Sequence, residues 1–313
     1  MTTQTTPSVP TPSAPTPTIG DSRPRPKPQK EAAYRRAEWL DIGGVYLFLI
    51  IFSIFILIPF IWPFLVAFTT KPENVSSLYL YWPQSFTLEH FNNAIFGRGQ
   101  ALTLLRNSIL TVSSAVLIAL VVCLLGGYAL SRGTFRFKRA LMFTILLIQI
   151  IPGTATVLPL YLIMRELGLI NSLFGVVLGM TTGTIPFMLW VLKGFIDSVP
   201  MELEEAAWLD GASRTQTLAR VVFPLALPGV GAAAILAFNG AWASFFLPLI
   251  LLSDADKFLM PLGLFRALIA YTNLDYGMLN AMGLLYMLPS FLIFIFARQY
   301  LIRGTMAGAM AGQ

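Results

Sequence analysis

Residues Glu205 to Gly229 read EAAWLDGASRTQTLARVVFPLALPG. The stretch is polar, charged and interrupted by glycine and proline. It lies between long apolar segments of a 313-residue chain that is 56% hydrophobic and only 12% charged. A soluble domain carries about 25% charged residues. This chain has too little polar surface to cover a globule. Lipid is therefore its expected solvent, and Glu205 to Gly229 is a part built for water.

A membrane-crossing helix needs about 20 mostly apolar residues. Six charge-free windows meet that need, bounded by Asp41 and Lys71, Arg106 and Arg132, Arg139 and Arg165, Glu166 and Lys193, Arg220 and Asp254, and Asp275 and Arg298. Each is rich in Leu, Ile, Val and Phe. The expected fold is an all-α membrane protein with six transmembrane helices. Pro59 and Pro63 should kink the first span, and Pro152 and Pro159 the third. The uncharged run Met1 to Gly20 is different: five prolines and few large apolar residues prevent it from spanning or packing. Residues 1–38 are read as a disordered, proline-rich tail, and residues 39–313 as the six-span domain. The basic-then-apolar order of a signal peptide is missing at the N-terminus.

An even number of spans puts both termini on one side. That side would hold fifteen of the 21 Lys and Arg residues, in the N-terminal tail, the loop SRGTFRFKRA from Ser131 to Ala140, the loop after the fourth span and the C-terminus. The other side would hold six. Basic segments stay cytoplasmic, so both termini and the Glu205 stretch are expected inside the cell. In this setting the net charge of +6 reports topology, and no nucleic acid is expected as a partner.

The loop itself has local punctuation. Pro200 suits a first helical turn, and Glu202, Glu204 and Glu205 suit a helix N-terminus. Gly211 is the residue best able to end that helix in the left-handed conformation. Ser213 with Gln216 fits a capping box, after which Leu218, Val221, Val222 and Leu225 recur at helical spacing. Two short helices around a glycine turn are expected. Ala206, Ala207 and Gly211 would let a bulky group approach closely. A helix lying on the bilayer would show a basic face to anionic lipid. This one is acidic at Glu202, Glu204, Glu205 and Asp210, which favours docking to a cytoplasmic protein.

Glu205-Ala206-Ala207, three residues, Gly211, nine residues, then Val221-Val222-Phe223-Pro224 resembles the EAA motif of ABC importer permeases. Val221 and Phe223 replace the usual isoleucine and leucine and keep apolar bulk. Asp210, Ala212, Arg220, Pro228 and the small-residue tail Tyr300 to Gly312 resemble the sugar branch of that family. The tail usually ends in lysine-glycine, which Ala311-Gly312 replaces. The resemblance covers the chain from about Trp39 onward. The short outer loop Thr69 to Leu105 resembles the maltose transporter's G-type subunit. The resemblance implies a type I ABC importer permease of the bacterial inner membrane. Loop 197–224 would then hold the coupling helix, with Glu205, Ala206, Ala207, Asp210, Gly211 and Pro224 as its coupling residues. The implied partners are an ABC ATPase dimer that binds ATP and Mg, a second, unlike permease, and an extracytoplasmic sugar-binding protein. The implied solute is a maltose- or trehalose-type oligosaccharide.

The residues agree with a passive subunit. No lysine falls in G-x-x-x-x-G-K-[ST], the phosphate-cradling loop. The windows hold no carboxylate of the kind ion-coupled carriers place at membrane depth. A stand-alone carrier or channel is the alternative. A membrane enzyme ranks last, because no nucleophile–base or metal constellation is visible. Polar residues within the spans are candidates for solute contact. Asn239 with Trp242 and Phe238 is the most sugar-like cluster, alongside Gln149, Thr181, Thr182, Thr184 and Asn280. Interhelical packing competes for all of them. Gly175, Gly179 and Gly183 mark a face for close helix approach. Cys123 reads as a small buried hydrophobe. His90, the only histidine, lacks a second metal ligand nearby and is expected at the surface.

Overall fold

The computed structural model describes residues 28–70, 85–269 and 275–310, with side chains described for 43–70, 85–269 and 275–296. The expected tail therefore lies mostly outside the described residues, as does the end of the small-residue C-terminus. The chain divides into two units, residues 1–59 and 60–313. Among the described residues the first unit consists of the greater part of α1 (Pro28–Phe68). This helix starts at Pro28 and so reaches back into the range read as tail. Proline is tolerated in a first turn, and Gln29 to Leu40 is rich in helix formers. The helix continues through Pro59 and Pro63 without ending.

The second unit holds every other element. They are α2 (Glu89–Phe96), α3 (Ala101–Arg132), α4 (Lys138–Ile148), α5 (Gly153–Glu166), α6 (Leu173–Asp197) and α7 (Met201–Leu209). Then come α8 (Arg214–Thr217), a π-helical segment (Leu218–Val222), α9 (Phe223–Trp242), α10 (Phe246–Leu251), a short 3-10 helix (Ala255–Lys257), α11 (Met260–Ile269) and α12 (Tyr276–Met310). The only bridge outside helices among the described residues joins Thr69 and Phe86. Among the described residues, five helical stretches are long and apolar enough to cross a membrane, and α4 with α5 makes a sixth if the bent pair counts as one span.

That sixth span corrects one expectation. It is not a single kinked helix: α4 and α5 meet at 100° across Gln149 to Pro152. α4 ends at Ile148 and a turn follows; Pro152 disfavours helical backbone at Ile151, so a new helix starts only after it. Pro159, by contrast, sits inside α5. A second local adjustment occurs at Pro224, which cannot donate to the turn before it. The π-helical turn at Leu218–Val222 widens the backbone just ahead of that proline. The rod from Arg214 to Trp242 stays continuous as a result.

The core is the crossing of α3 with α6, against which α9 packs. On α3 the buried residues Thr111, Ala115, Ala119, Cys123 and Gly127 recur every four positions. Such a small-residue seam lets helices approach closely in lipid. A Cβ on Gly127 would lie 3.4 Å from the Lys193 backbone of α6. Gly179 on α6 admits Leu247 of α10, which would lie 2.9 Å from an added Cβ. Gly175 has no room for one, because Leu169's carbonyl oxygen occupies that place. Gly183, the third of the expected stripe, faces open space.

Gly175→Ala should therefore destabilise the fold by about 1–3 kcal/mol through overpacking. Gly183→Ala should be neutral or slightly stabilising, by up to about 1 kcal/mol of helix propensity. Thermal unfolding of the two variants in detergent micelles separates them.

Candidate functional site

The α7–α8 hairpin leaves one end of α6 and returns into α9. Pro200 precedes α7 with backbone φ −57° and ψ 135°. At the far end Gly211 has φ +90°. Gly211 N–H donates to Trp208 O at 3.0 Å and Ala212 N–H donates to Ala207 O at 2.9 Å. These two bonds form a Schellman motif, which satisfies the last carbonyls of α7. Gly211 is required here because L side chains rarely adopt that φ. Ser213 then caps α8 by the expected capping box: Gln216 N–H donates to Ser213 Oγ, and Ser213 N–H donates to Gln216 Oε1 at 2.8 Å. Arg214 lies over the Trp208 ring, 4.5 Å from its centroid, and closes the hairpin.

The two faces of α7 are opposite in kind. Glu202, Glu205, Ala206 and Leu209 are exposed and fall at i, i+3, i+4 and i+7, so they share one face. Leu209 is 90% exposed. The other face carries Glu204, which is 0% exposed. Its carboxylate accepts from Tyr128 OH at 2.8 Å through Oε2 and from Arg132 Nε at 2.6 Å through Oε1. Arg132 also donates to Ile196 O at 3.0 Å and Val199 O at 2.7 Å. One guanidinium thus joins the end of α3, the end of α6 and the buried side of α7. It also places positive charge beside two helix C-termini, where the macrodipole favours it.

Further polar contacts seal this junction. Ser131 Oγ donates to Asp197, and Lys193 pairs with the same carboxylate. Lys138 Nζ caps α3 by donating to Ser131 O at 2.9 Å and Gly133 O at 3.2 Å. Beneath them Ile196, Val199, Leu218 and Val222 form a small apolar cluster with Leu124 and Tyr128.

Sequence reasoning placed the functional weight on Glu205 and counted Glu204 with Glu202, Glu205 and Asp210 among the acidic residues that favour docking. The structure leaves Glu205 exposed and buries Glu204. Of the other coupling candidates, Ala206, Asp210, Gly211 and Pro224 are exposed and Ala207 is half-buried. Tyr128 and Arg132 were not singled out. The one available signal was Arg132 as the first charge after a long apolar window, directly before a glycine.

The residues read as sugar-like lie in a different place, on α9. Phe238 and Trp242 are buried and stack 5.4 Å apart. Trp242 stacks in turn on Tyr286 of α12 at 5.4 Å. Trp242 Nε1 donates to Tyr286 O at 3.2 Å, and Tyr286 OH donates to Trp242 O at 2.8 Å. This reciprocal pair staples α9 to α12. Asn239 is half-buried, and its amide donates to Ile235 O at 3.1 Å. The hydroxyls of Thr181, Thr182 and Thr184 bond carbonyls of their own helix, and Thr181 also reaches Ala115 O of α3 at 3.3 Å. The Asn280 amide donates to Tyr276 O, and Gln149 lies at the break after α4.

His90 is a second correction. It is buried, not at the surface, and its Nε2 lies 2.9 Å from Thr69 O. His90 and Ala94 form the buried side of α2, and His90 packs where Gly277 of α12 lacks a side chain. Among the described residues no cluster of three or more His, Cys, Asp or Glu could hold a metal ion.

Residues 123–305 match the family described as binding-protein-dependent transport system inner membrane component. The chain belongs to this family. A permease of the diacetylchitobiose uptake system, DasC of Streptomyces coelicolor, is 30% identical over 88% of this chain and 97% of its own length. The trehalose/maltose transport system permease MalG of Thermococcus litoralis is 27% identical over 84% of this chain and 95% of its own. Among solved structures, a bacterial ABC transporter that imports the acidic polysaccharide alginate contains a chain with TM-score 0.74. That chain is 22% identical, and the match covers 85% of this chain and 98% of that one. The all-α permease fold and the likeness to sugar-uptake permeases therefore stand. So does the placement as a multi-pass inner-membrane protein. Residues 123–305 take in the C-terminal part of α3 with Tyr128 and Arg132, the hairpin and the α9–α12 staple.

In this permease, Glu204→Ala leaves the Arg132 charge buried without its partner. Removing one member of such a pair costs about 3–5 kcal/mol. Glu205→Ala, on the exposed face, should change stability by no more than about 0.5 kcal/mol. Thermal unfolding in micelles is expected to show a marked fall for the first variant alone.

Proposed function

We propose that this chain is the permease subunit of an ATP-driven importer for an oligosaccharide, and that α7 receives the driving motion. The observation that carries the proposal is the outward face of α7. A 90% exposed leucine, Leu209, shares it with Glu202 and Glu205 in a chain whose hairpin is otherwise braced by polar contacts. A leucine projecting beside carboxylates on one exposed helix face, where a membrane-lying helix would be basic, fits a docking face. The acidic residues would pair with basic groups of an ATPase that binds ATP and Mg. Glu205 is the main polar contact, and Gly211 sets the turn that presents it.

In this reading both termini and the hairpin lie in the cytoplasm, as the distribution of basic residues favours. An ATPase dimer and a second, unlike permease complete the membrane complex. An extracytoplasmic binding protein delivers the solute. A bacterial alginate ABC transporter has been solved in complex with an alginate pentasaccharide-bound periplasmic protein, which supports this reading. The sugar type follows the relatives: diacetylchitobiose for DasC and trehalose or maltose for MalG. Maltose or trehalose is the finer form of the proposal. Solute contact on α9 falls to the half-buried Asn239, with Phe238 and Trp242 as the aromatic wall behind it.

Glu205→Lys should abolish sugar uptake by the assembled complex while membrane insertion stays normal, because an attractive contact becomes repulsive. Uptake of radiolabelled maltose and trehalose by proteoliposomes, with ATP inside, checks this. Uptake at the wild-type level by a normally inserted variant would refute the docking role.

A further inference from the structure

Covalently, α7 is joined to only two spans. It follows α6 through Val199 and Pro200, and it leads through α8 and the π-helical turn into α9. Nothing in the backbone connects it to α3. Glu204 supplies that connection, with both carboxylate oxygens held by α3 residues at 2.6 and 2.8 Å. Arg132 extends the connection to the α6 end through Ile196 O and Val199 O. We infer that Glu204, Arg132 and Tyr128 form a transmission joint. Through it, displacement of α7 drives α3 together with α6 and α9, so that hydrolysis in the ATPase becomes movement of the bundle. This rests on the importer reading above.

Three features make the junction suited to transmitting force and not merely to burying a charge. First, the joint is short: one side chain on α7 meets two on the last turns of α3, with no exposed segment between. Second, it is sealed. Glu204 is 0% exposed and the Arg132 side chain 11% exposed, so water cannot substitute for a lost contact. Third, it pulls on the strongest packing in the chain. The α3 seam from Thr111 to Gly127 is the surface that α6 and α9 pack against, and packed helices shift as bodies instead of deforming. Burial of an ion pair alone is weak evidence for stability, since well-packed apolar residues often serve as well. The geometry of three helix ends meeting at one guanidinium is what assigns the role. Tyr128, Arg132 and Glu204 are positioning residues: they act through the helices they join and need not touch solute or nucleotide.

The test uses the full importer, purified with its ATPase and reconstituted with its binding protein. Tyr128→Phe removes one hydroxyl and keeps the ion pair, so it should fold and assemble. Glu204→Gln keeps the shape and removes the charge. For each variant three quantities are read: ATPase subunits retained on purification, ATP hydrolysed, and sugar transported per ATP. Losing one charge-assisted hydrogen bond should lower sugar per ATP by about tenfold, with ATPase retention unchanged. The double variant should be no worse than the worse single one, because both act on one joint. A purely structural role would make hydrolysis, transport and recovered complex fall together, with the ratio constant. That result overturns the inference, as does an unchanged ratio in Tyr128→Phe. Failure of the importer reading would look different: the wild-type complex itself would show no ATP-dependent uptake.

Discussion

A carboxylate with no access to water must be met by fixed donors, and Glu204 meets its donors on α3. That constraint organises the whole end of the bundle around the hairpin. Arg132 can hold Glu204 only if its remaining donors are also placed, and they are, on the last carbonyls of α6 and on the backbone just past it. Val199 O lies beyond the helix, and Ile196 O, which also accepts from Val199 N–H at 3.1 Å, has a second lone pair for the guanidinium. The same guanidinium therefore neutralises a buried charge and caps a helix. Lys138 does the corresponding work at the end of α3. Once these groups are fixed, α7 can present only one face outward.

The two neighbouring glutamates then have opposite duties because a helix turns about 100° per residue. Glu204 points into the protein and Glu205 away from it. The inner residue holds the hairpin to the spans, and the outer one is free for a partner. The Schellman turn at Gly211 and the stack of Arg214 on Trp208 brace the hairpin.

The legible parts of the fold were the local ones. Span number followed from charge-free windows, and the hairpin from Pro200, Gly211 and the Ser213–Gln216 box, all of which act within a few residues. What stayed hidden depends on distant partners. Glu204 and Arg132 lie far apart in sequence, and nothing local says which of Glu202, Glu204 and Glu205 turns inward. His90 could not be seen as buried without α12, whose Gly277 makes room for it. Pro152 was visible as a bend, but not the full break that separates α4 from α5. Phe238 and Trp242 stood out in the sequence as part of a sugar-like cluster with Asn239, and in the structure both are buried and stacked. Their reciprocal bonds with Tyr286 could not be read, because a tyrosine on α12 carries no local mark of its partner.

The most direct measurement is the distance between α7 and α3 during the transport cycle. Spin labels at Leu203 on α7, outside the docking face, and at Leu125 on α3, both exposed, would report it in the assembled complex once Cys123 is replaced by alanine. If the buried joint holds the hairpin and α3 as one body, the mean separation stays the same in the nucleotide-free and ATP-bound states. A mean that shifts between those states would show the hairpin moving without α3, and would contradict the role of Glu204.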